Sequence, residues 1–212
     1  MLEMLIVGDS ILSGKNLPPR ATYIQGRSPK HRMPGIEKCD GLITLGYHAM
    51  AGTPEAILEH TMSSAFWQNL WINGVPAGEF AIDAGIAGDY NVPTIMVSGD
   101  DKVCEEAKNL IKNIVTIEVK RGLDIEGGIL LPKEIAPNKI KEGAEKAVKL
   151  CKKRAIKPYK VKQPVKMRLE LVERGTVPQG PHVKLINARR YEVVGENVEE
   201  ALKLLVMMSG EI

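Results

Sequence analysis

The sequence predicts an α/β protein, with a mostly parallel sheet flanked by helices and a smaller α+β part at the C-terminal end. Three short apolar runs carry this prediction: EMLIVG (Glu3 to Gly8), GLITLGY (Gly41 to Tyr47) and PTIMVSG (Pro93 to Gly99). Each has a glycine at or next to its end, as buried parallel strands often do. Helical spacing lies between and after them. AGEFAIDAGIAGDY (Ala77 to Tyr90) places Phe80, Ala84 and Ala87 on one stripe, and DDKVCEEAKNLIKN starts at Asp101 as an N-cap and repeats Val103, Ala107, Leu110 and Ile111 on one face. Strands alternating with helices define the α/β class.

The remaining elements follow in order. NLWI precedes Asn73-Gly74, a strong tight-turn signal that makes a hairpin corner. Ile140 to Cys151 reads as a helix with Ile140, Ala144, Ala147, Val148 and Cys151 in one stripe. KLCKKRAIKPYKVKQPVK, 149–166, then carries eight basic residues and no acidic one. Its two prolines and single aromatic, Tyr159, offer no stacking platform, so it is expected to be a solvated linker rather than a nucleic-acid surface. Beyond it VKMRLELV alternates with period two, RRYEVVG is strand-like, and NVEEALKLLVMMS is a closing amphipathic helix capped by Asn197. Leu204, Leu205, Met207 and Met208 form its apolar stripe, expected in the core or a subunit interface. The chain is thus expected to divide into an α/β domain over 1–155 and a smaller α+β part over 156–212 packed on it.

Composition narrows the class further. With 212 residues, 44% hydrophobic and 26% charged, the chain has the balance of a soluble globular protein with one core. No apolar run approaches the roughly 20 residues of a membrane helix. MLEMLIVGDS does not resemble a signal peptide, so the cytoplasm is the expected compartment. Three widely spaced cysteines (Cys39, Cys104, Cys151) suggest buried apolar residues rather than disulfides or a zinc cluster.

The chemistry concentrates in LGYHAMAGTPEAILEHTMS, Leu45 to Ser63. His48 follows an apolar strand at its C-terminal end, where open α/β sheets gather ligands. His60 comes after PEAILE, read as a short helical turn started by Pro54, and a reversal at Gly52-Thr53-Pro54 would return it toward the strand end. Glu79 sits in the first turn of the following helix, where the dipole alone would favour a carboxylate. Histidine and glutamate are also zinc ligands in hydrolytic sites, and a further histidine can move protons near neutral pH. No H-E-x-x-H signature is present, so spacing alone leaves the metal site and the structural reading both open. His31 and His182 lie in polar loops and are expected to be exposed, with substrate or subunit contact as their functional alternative. Asp100 and Asp101 read as helix caps. Ser10, Ser63 and Ser98 lack the surroundings of a nucleophilic serine.

LITLGYHAMAGTPEAILEHTMSS, followed by WINGVPAGEFAIDAGIAGDYNVPTIMVSGDD, resembles the core of the zinc D-aminopeptidases of the dipeptide-transport-operon type. The similarity is strongest from Leu42 to Asp101. It implies that His48 and Glu79 are zinc ligands at a two-metal centre and that His60 is the catalytic histidine, as nucleophile or proton shuttle. It also implies short peptide substrates with an N-terminal D-residue and a ring-shaped homodecamer. Neither a nucleic-acid nor a membrane partner is implied.

The chain departs from that pattern at its start. The Asp-x-Glu pair that supplies two ligands is absent, and the strand EMLIVGDS, which resembles the family's second strand, continues into Ile11 where a histidine ligand is expected. Of five implied ligand positions, two remain. Asp9 could compensate. Either the given sequence lacks an N-terminal segment, or the protein is a catalytically impaired oligomeric scaffold or peptide-binding protein.

Overall fold

The computed structural model describes residues 4–8, 21–25, 28, 30–173 and 177–209. Its strands are β1 (Met4–Gly8), β2 (Ala21–Gln25), β3 (Leu42–Tyr47), β4 (Trp67–Ile72), β5 (Val75–Pro76), β6 (Thr94–Asp100), β7 (Val115–Gly122), β8 (Gly128–Leu130), β9 (Val165–Leu171), β10 (Val183–Asn187) and β11 (Arg190–Gly195). The helices are α1 (Glu79–Asp89), α2 (Asp101–Leu110), α3 (Ala136–Lys152) and α4 (Val198–Ser209). One sheet runs β3-β6-β7-β8, parallel through β7 with β8 antiparallel at the edge. A second, antiparallel sheet runs β10-β11-β9-β4-β5, and β1 pairs with β2 in parallel. The mixed α/β architecture with a mainly parallel sheet is the predicted class.

Burial explains why the apolar runs became strands where they did. Every residue of β6 is buried, because helices cover both faces of the sheet it centres. β9 instead alternates, with Val165, Met167 and Leu169 buried beneath α4 while Lys166 and Arg168 meet Glu192 on the other face. α1 lies between the two sheets. Phe80 and Ala84 join the core around β6, whereas Ile82 and Ile86 join the core around β9 and β11, so the helix is apolar nearly all round. The stripe Phe80, Ala84 and Ala87 was therefore only one of its buried faces.

Several elements differ from their sequence reading. Asp100, rather than Asp101, is the N-cap of α2, and its carboxylate accepts from the Val103 amide at 2.8 Å. α3 begins at Ala136, a turn before Ile140. The 54–59 segment contains no helix. The basic segment after α3 is no solvated linker, since Ile156 is buried and Lys160 Nζ donates to the Gly88 carbonyl at 2.6 Å. β10 escaped notice because four of its five residues are exposed, leaving no alternation to read. The Asn73-Gly74 turn forms with φ of 50° and 85°, and Asn197 caps α4 by accepting from the Glu200 amide at 2.9 Å. The sheet containing β9 and β11 is completed by β4 and β5, so the expected boundary at residue 155 runs across a continuous hydrogen-bonded sheet. Leu205 is fully buried and Leu204 partly so, whereas the side chains of Met207 and Met208 lie outside the described residues. Asp9, Ser10 and Ile11 also lie outside them. Cys104 is buried, Cys39 and Cys151 are half-buried, and all three are free.

Where the basic segment crosses α1, contact is close enough to demand glycine. A Cβ at Gly88 would lie 1.7 Å from the Tyr159 carbonyl oxygen, which is backbone and cannot swing away. Gly88→Ala is expected to destabilise the protein by about 3 kcal/mol or more, at the upper end for overpacking. Urea denaturation checks this, and a cost under about 1 kcal/mol would refute the packing argument.

Candidate metal centre

The site forms at the carboxyl edge of the parallel sheet. β3 ends at Tyr47, in register with Gly99 of β6, and His48 follows at once. The chain then loops outward and closes on itself. Thr53 N–H donates to the Met50 carbonyl at 3.3 Å, Ala51 N–H to Thr61 Oγ1 at 3.1 Å, and His60 N–H to the Ala49 carbonyl at 3.4 Å. The predicted reversal is real, but turns make it rather than a helix. Glu55, Leu58 and Met62 all adopt positive φ, at 54°, 52° and 61°, a strained backbone that clusters at functional sites.

This loop stacks the two histidines. Their ring centroids are 3.7 Å apart, with planes inclined by 18°. His48 Nδ1 lies 3.0 Å from the Ala49 carbonyl and His60 Nδ1 2.7 Å from the Leu58 carbonyl. A carbonyl only accepts, so each Nδ1 carries the proton and each Nε2 is left for chemistry. Both Nε2 atoms face the same acceptor, Glu79 Oε1, at 3.5 Å from His48 and 3.7 Å from His60. All three sequence-selected residues thus come together, each with a ligand atom within 4.8 Å of the others.

Glu79 is the first residue of α1, with Gly78 as its N-cap. Its Oε1 accepts from the Met62 amide at 2.9 Å and its Oε2 from Arg32 Nη2 at 3.1 Å. Burial pushes this carboxyl up, but His48, Arg32 and the Met62 amide outweigh burial and bring its pKa down to about 2. His48 moves the other way. Burial lowers it, yet its bonds to Glu79 and Ala49 prevail and raise it above the ordinary histidine value.

Four further residues, Arg32, Tyr47, Asp83 and Glu106, were not selected from the sequence. Arg32 Nε donates to Asp83 Oδ1 at 2.5 Å and Nη2 to Asp83 Oδ2 at 3.4 Å, while the Tyr47 hydroxyl donates to Asp83 Oδ2. Asp83 is one helical turn beyond Glu79 and is buried. A carboxylate within an otherwise apolar helix was the signal that could have revealed it. Glu106, on α2, accepts from the Met50 amide at 3.1 Å, and its Oε1 lies so near Gly78 that a Cβ there would come within 3.1 Å. It therefore braces both segments that carry site residues. Burial raises its pKa to about 7, opposed only in part by the Met50 amide and the charge of His48. His31 is exposed and pairs with Glu199 at 3.1 Å, and His182 is exposed, so neither joins the site.

The donor set fits zinc. Two imidazole nitrogens freed by Nδ1–H bonds and one carboxylate oxygen are common zinc donors, and the carbonyl partners supply the outer support such ligands need. The stacking limits that fit to Glu79 and one of the two imidazoles for any single ion. Imidazole binds an ion near its own plane, and planes 3.7 Å apart and almost parallel cannot both contain one nearby ion.

Comparison with known proteins shows which family the chain matches. The family model described as D-aminopeptidase matches residues 7–207. A curated D-aminopeptidase of Bacillus subtilis is 38% identical over 109 residues, covering 50% of this chain and 39% of its own length. The matched region is thus well under half of that relative. A solved structure, the Zn-dependent D-aminopeptidase DppA from Bacillus subtilis, described as a self-compartmentalizing protease, superposes with a TM-score of 0.86. It is 27% identical, and the match covers 94% of this chain and 73% of that one. The fold is that of a zinc-dependent peptidase scaffold, and the family match over residues 7–207 shows that the chain belongs to the D-aminopeptidase family.

Proposed function

We propose that this protein is a zinc-dependent aminopeptidase acting on short peptides with an N-terminal D-residue. The observation that carries the proposal is the convergence of His48 Nε2 and His60 Nε2 on Glu79 Oε1 at the carboxyl edge of a D-aminopeptidase fold. His48 and Glu79 would hold the metal. When bound, zinc supplies Lewis-acid polarisation of the peptide carbonyl and lowers the pKa of water.

The chain's own residues do the rest. The Ala49 carbonyl keeps the His48 proton on Nδ1, so Nε2 stays available as a donor. Arg32 and the Met62 amide hold Glu79 ionised and oriented. Because His60 is stacked against His48, its lone pair runs alongside rather than toward the same ion, which suits a separate role. His60 Nε2 takes a proton during attack and returns it to the leaving amine, while Nδ1–H remains anchored on the Leu58 carbonyl.

A homo-oligomer, with the decameric ring as its specific form, belongs to the same proposal. Leu58, Leu123, Ile125, Ile129 and Leu130 are all exposed, and the Leu58 amide donates to the Ile125 carbonyl at 2.7 Å, so this apolar surface adjoins the catalytic loop. Among the described residues no helix is long and apolar enough to cross a membrane. A cytoplasmic location suits the three free thiols.

The test is hydrolysis of D-alanyl and L-alanyl dipeptides by zinc-loaded protein, with His60→Ala and His48→Ala alongside. Cleavage of the D-peptide is expected, with His60→Ala retaining zinc but losing about 100-fold or more in kcat, and His48→Ala losing zinc itself. Zinc-loaded protein that binds the peptide without cleaving it would leave a peptide-binding scaffold. A His60→Ala variant working at the parental rate would remove the role given to that residue.

A further inference from the structure

Arg32 occupies the second oxygen of Glu79, the one turned away from the imidazoles. Glu79 divides its two oxygens between opposite sides: Oε1 faces the imidazoles and the Met62 amide, while Oε2 receives Arg32 Nη2 at 3.1 Å. A carboxylate that bridges two metal ions through both of its oxygens must offer one to each, and here one is already taken. The guanidinium is held firmly. Nε and Nη2 form a fork on Asp83 at 2.5 and 3.4 Å, and Nη1 points at Met62 Sδ at 3.3 Å. Asp83 is itself fixed from its other side by the Tyr47 hydroxyl.

Charge leads to the same result. Glu79 and Asp83 lie one turn apart on α1, and two carboxylates at that spacing make a ready divalent-cation site if nothing stands between them. Here a guanidinium does, with planar donors that match both carboxylates. Asp83 is buried, so its partner is a resident part of the fold rather than a surface contact.

We infer that Arg32 is a built-in cation occupying the second half of the metal centre, so that each chain takes up one zinc ion and not two. The inference rests on the zinc reading of His48 and Glu79 given above. In this arrangement Glu79 binds one ion through Oε1 and one guanidinium through Oε2. Arg32 is a positioning residue that limits stoichiometry, not a group that touches substrate.

Zinc uptake measures this directly. Native mass spectrometry and equilibrium dialysis with zinc in excess are applied to the wild-type chain, Arg32→Gln, and the double variant Arg32→Gln with Asp83→Asn. Wild-type protein is expected to saturate at one ion per chain. Arg32→Gln should take up a second, weaker ion on the released carboxylates, and the double variant should return to one. Two ions in the wild type, or one in a folded Arg32→Gln variant, overturns the inference while leaving the single-site reading intact. No ion in the wild type overturns both. Should Arg32→Gln fail to fold by circular dichroism, the wild-type count still decides between one ion and two.

Discussion

Glu79→Gln is expected to abolish the site more completely than any other single change. The amide keeps the shape of the carboxylate but not its charge, so the anionic donor disappears and the convergence point of both Nε2 atoms becomes neutral. Zinc affinity should fall by about 100-fold or more, beyond what loss of a merely supporting group costs. The same substitution makes a second readout. His48 is raised by its bond to Glu79 against a lowering by burial, so without the carboxylate burial prevails and its pKa drops. Titration of the histidine ring protons by NMR checks this. A His48 pKa that stays above the ordinary histidine value in the variant would show that Glu79 is not what sustains it.

Glu106→Gln should change how stability depends on pH. Burial raises the Glu106 carboxyl from 4.5 to about 7, so between those values the folded chain holds a proton that the unfolded chain has released. An acid with a raised folded pKa contributes stability at low pH and loses it as pH rises, here from about 4.5 up to about 7. The slope is at most about 1.4 kcal/mol per pH unit. Glutamine cannot ionise, yet its carbonyl can still accept from the Met50 amide. Urea midpoints at pH 5, 6, 7 and 8 should therefore diverge, the wild type losing about 2 kcal/mol more than the variant across that range. His48 also loses stabilisation as pH rises through its raised pKa, and because its charge acts on Glu106 the comparison is repeated in a His48→Ala background. Parallel profiles would show that Glu106 is ionised throughout.

Both predictions begin from residues of very different legibility. Glu79 could be selected because it opens a helix, in GEF just after an Asn-Gly corner, with a histidine pair upstream. Glu106 could not. It occupies an ordinary amphipathic helix, CEEAK, where adjacent glutamates look alike, and only packing makes Glu106 a half-buried brace while Glu105 remains exposed. Arg32 was hidden for another reason. Its partners are 47 and 51 residues away, and a basic residue in a Pro/Gly loop carries no local mark of such contacts.

What the sequence determined by itself was local. Apolar runs specified β3 and β6, Asn73-Gly74 specified a hairpin, and Asn197 specified the start of α4, because each depends on the conformational preferences of a few neighbouring residues. It also singled out His48 just after a strand end, with His60 and Glu79 nearby in a run that resembles a known family. Tertiary structure decided everything that depends on what lies opposite. It set α1 between two sheets, joined β9 to β4 across about a hundred residues, and turned the 50–62 loop so that the two imidazoles stack. It alone placed Arg32 on the far oxygen of Glu79, since burial and charge compensation are properties of contacts between distant segments rather than of the segments themselves.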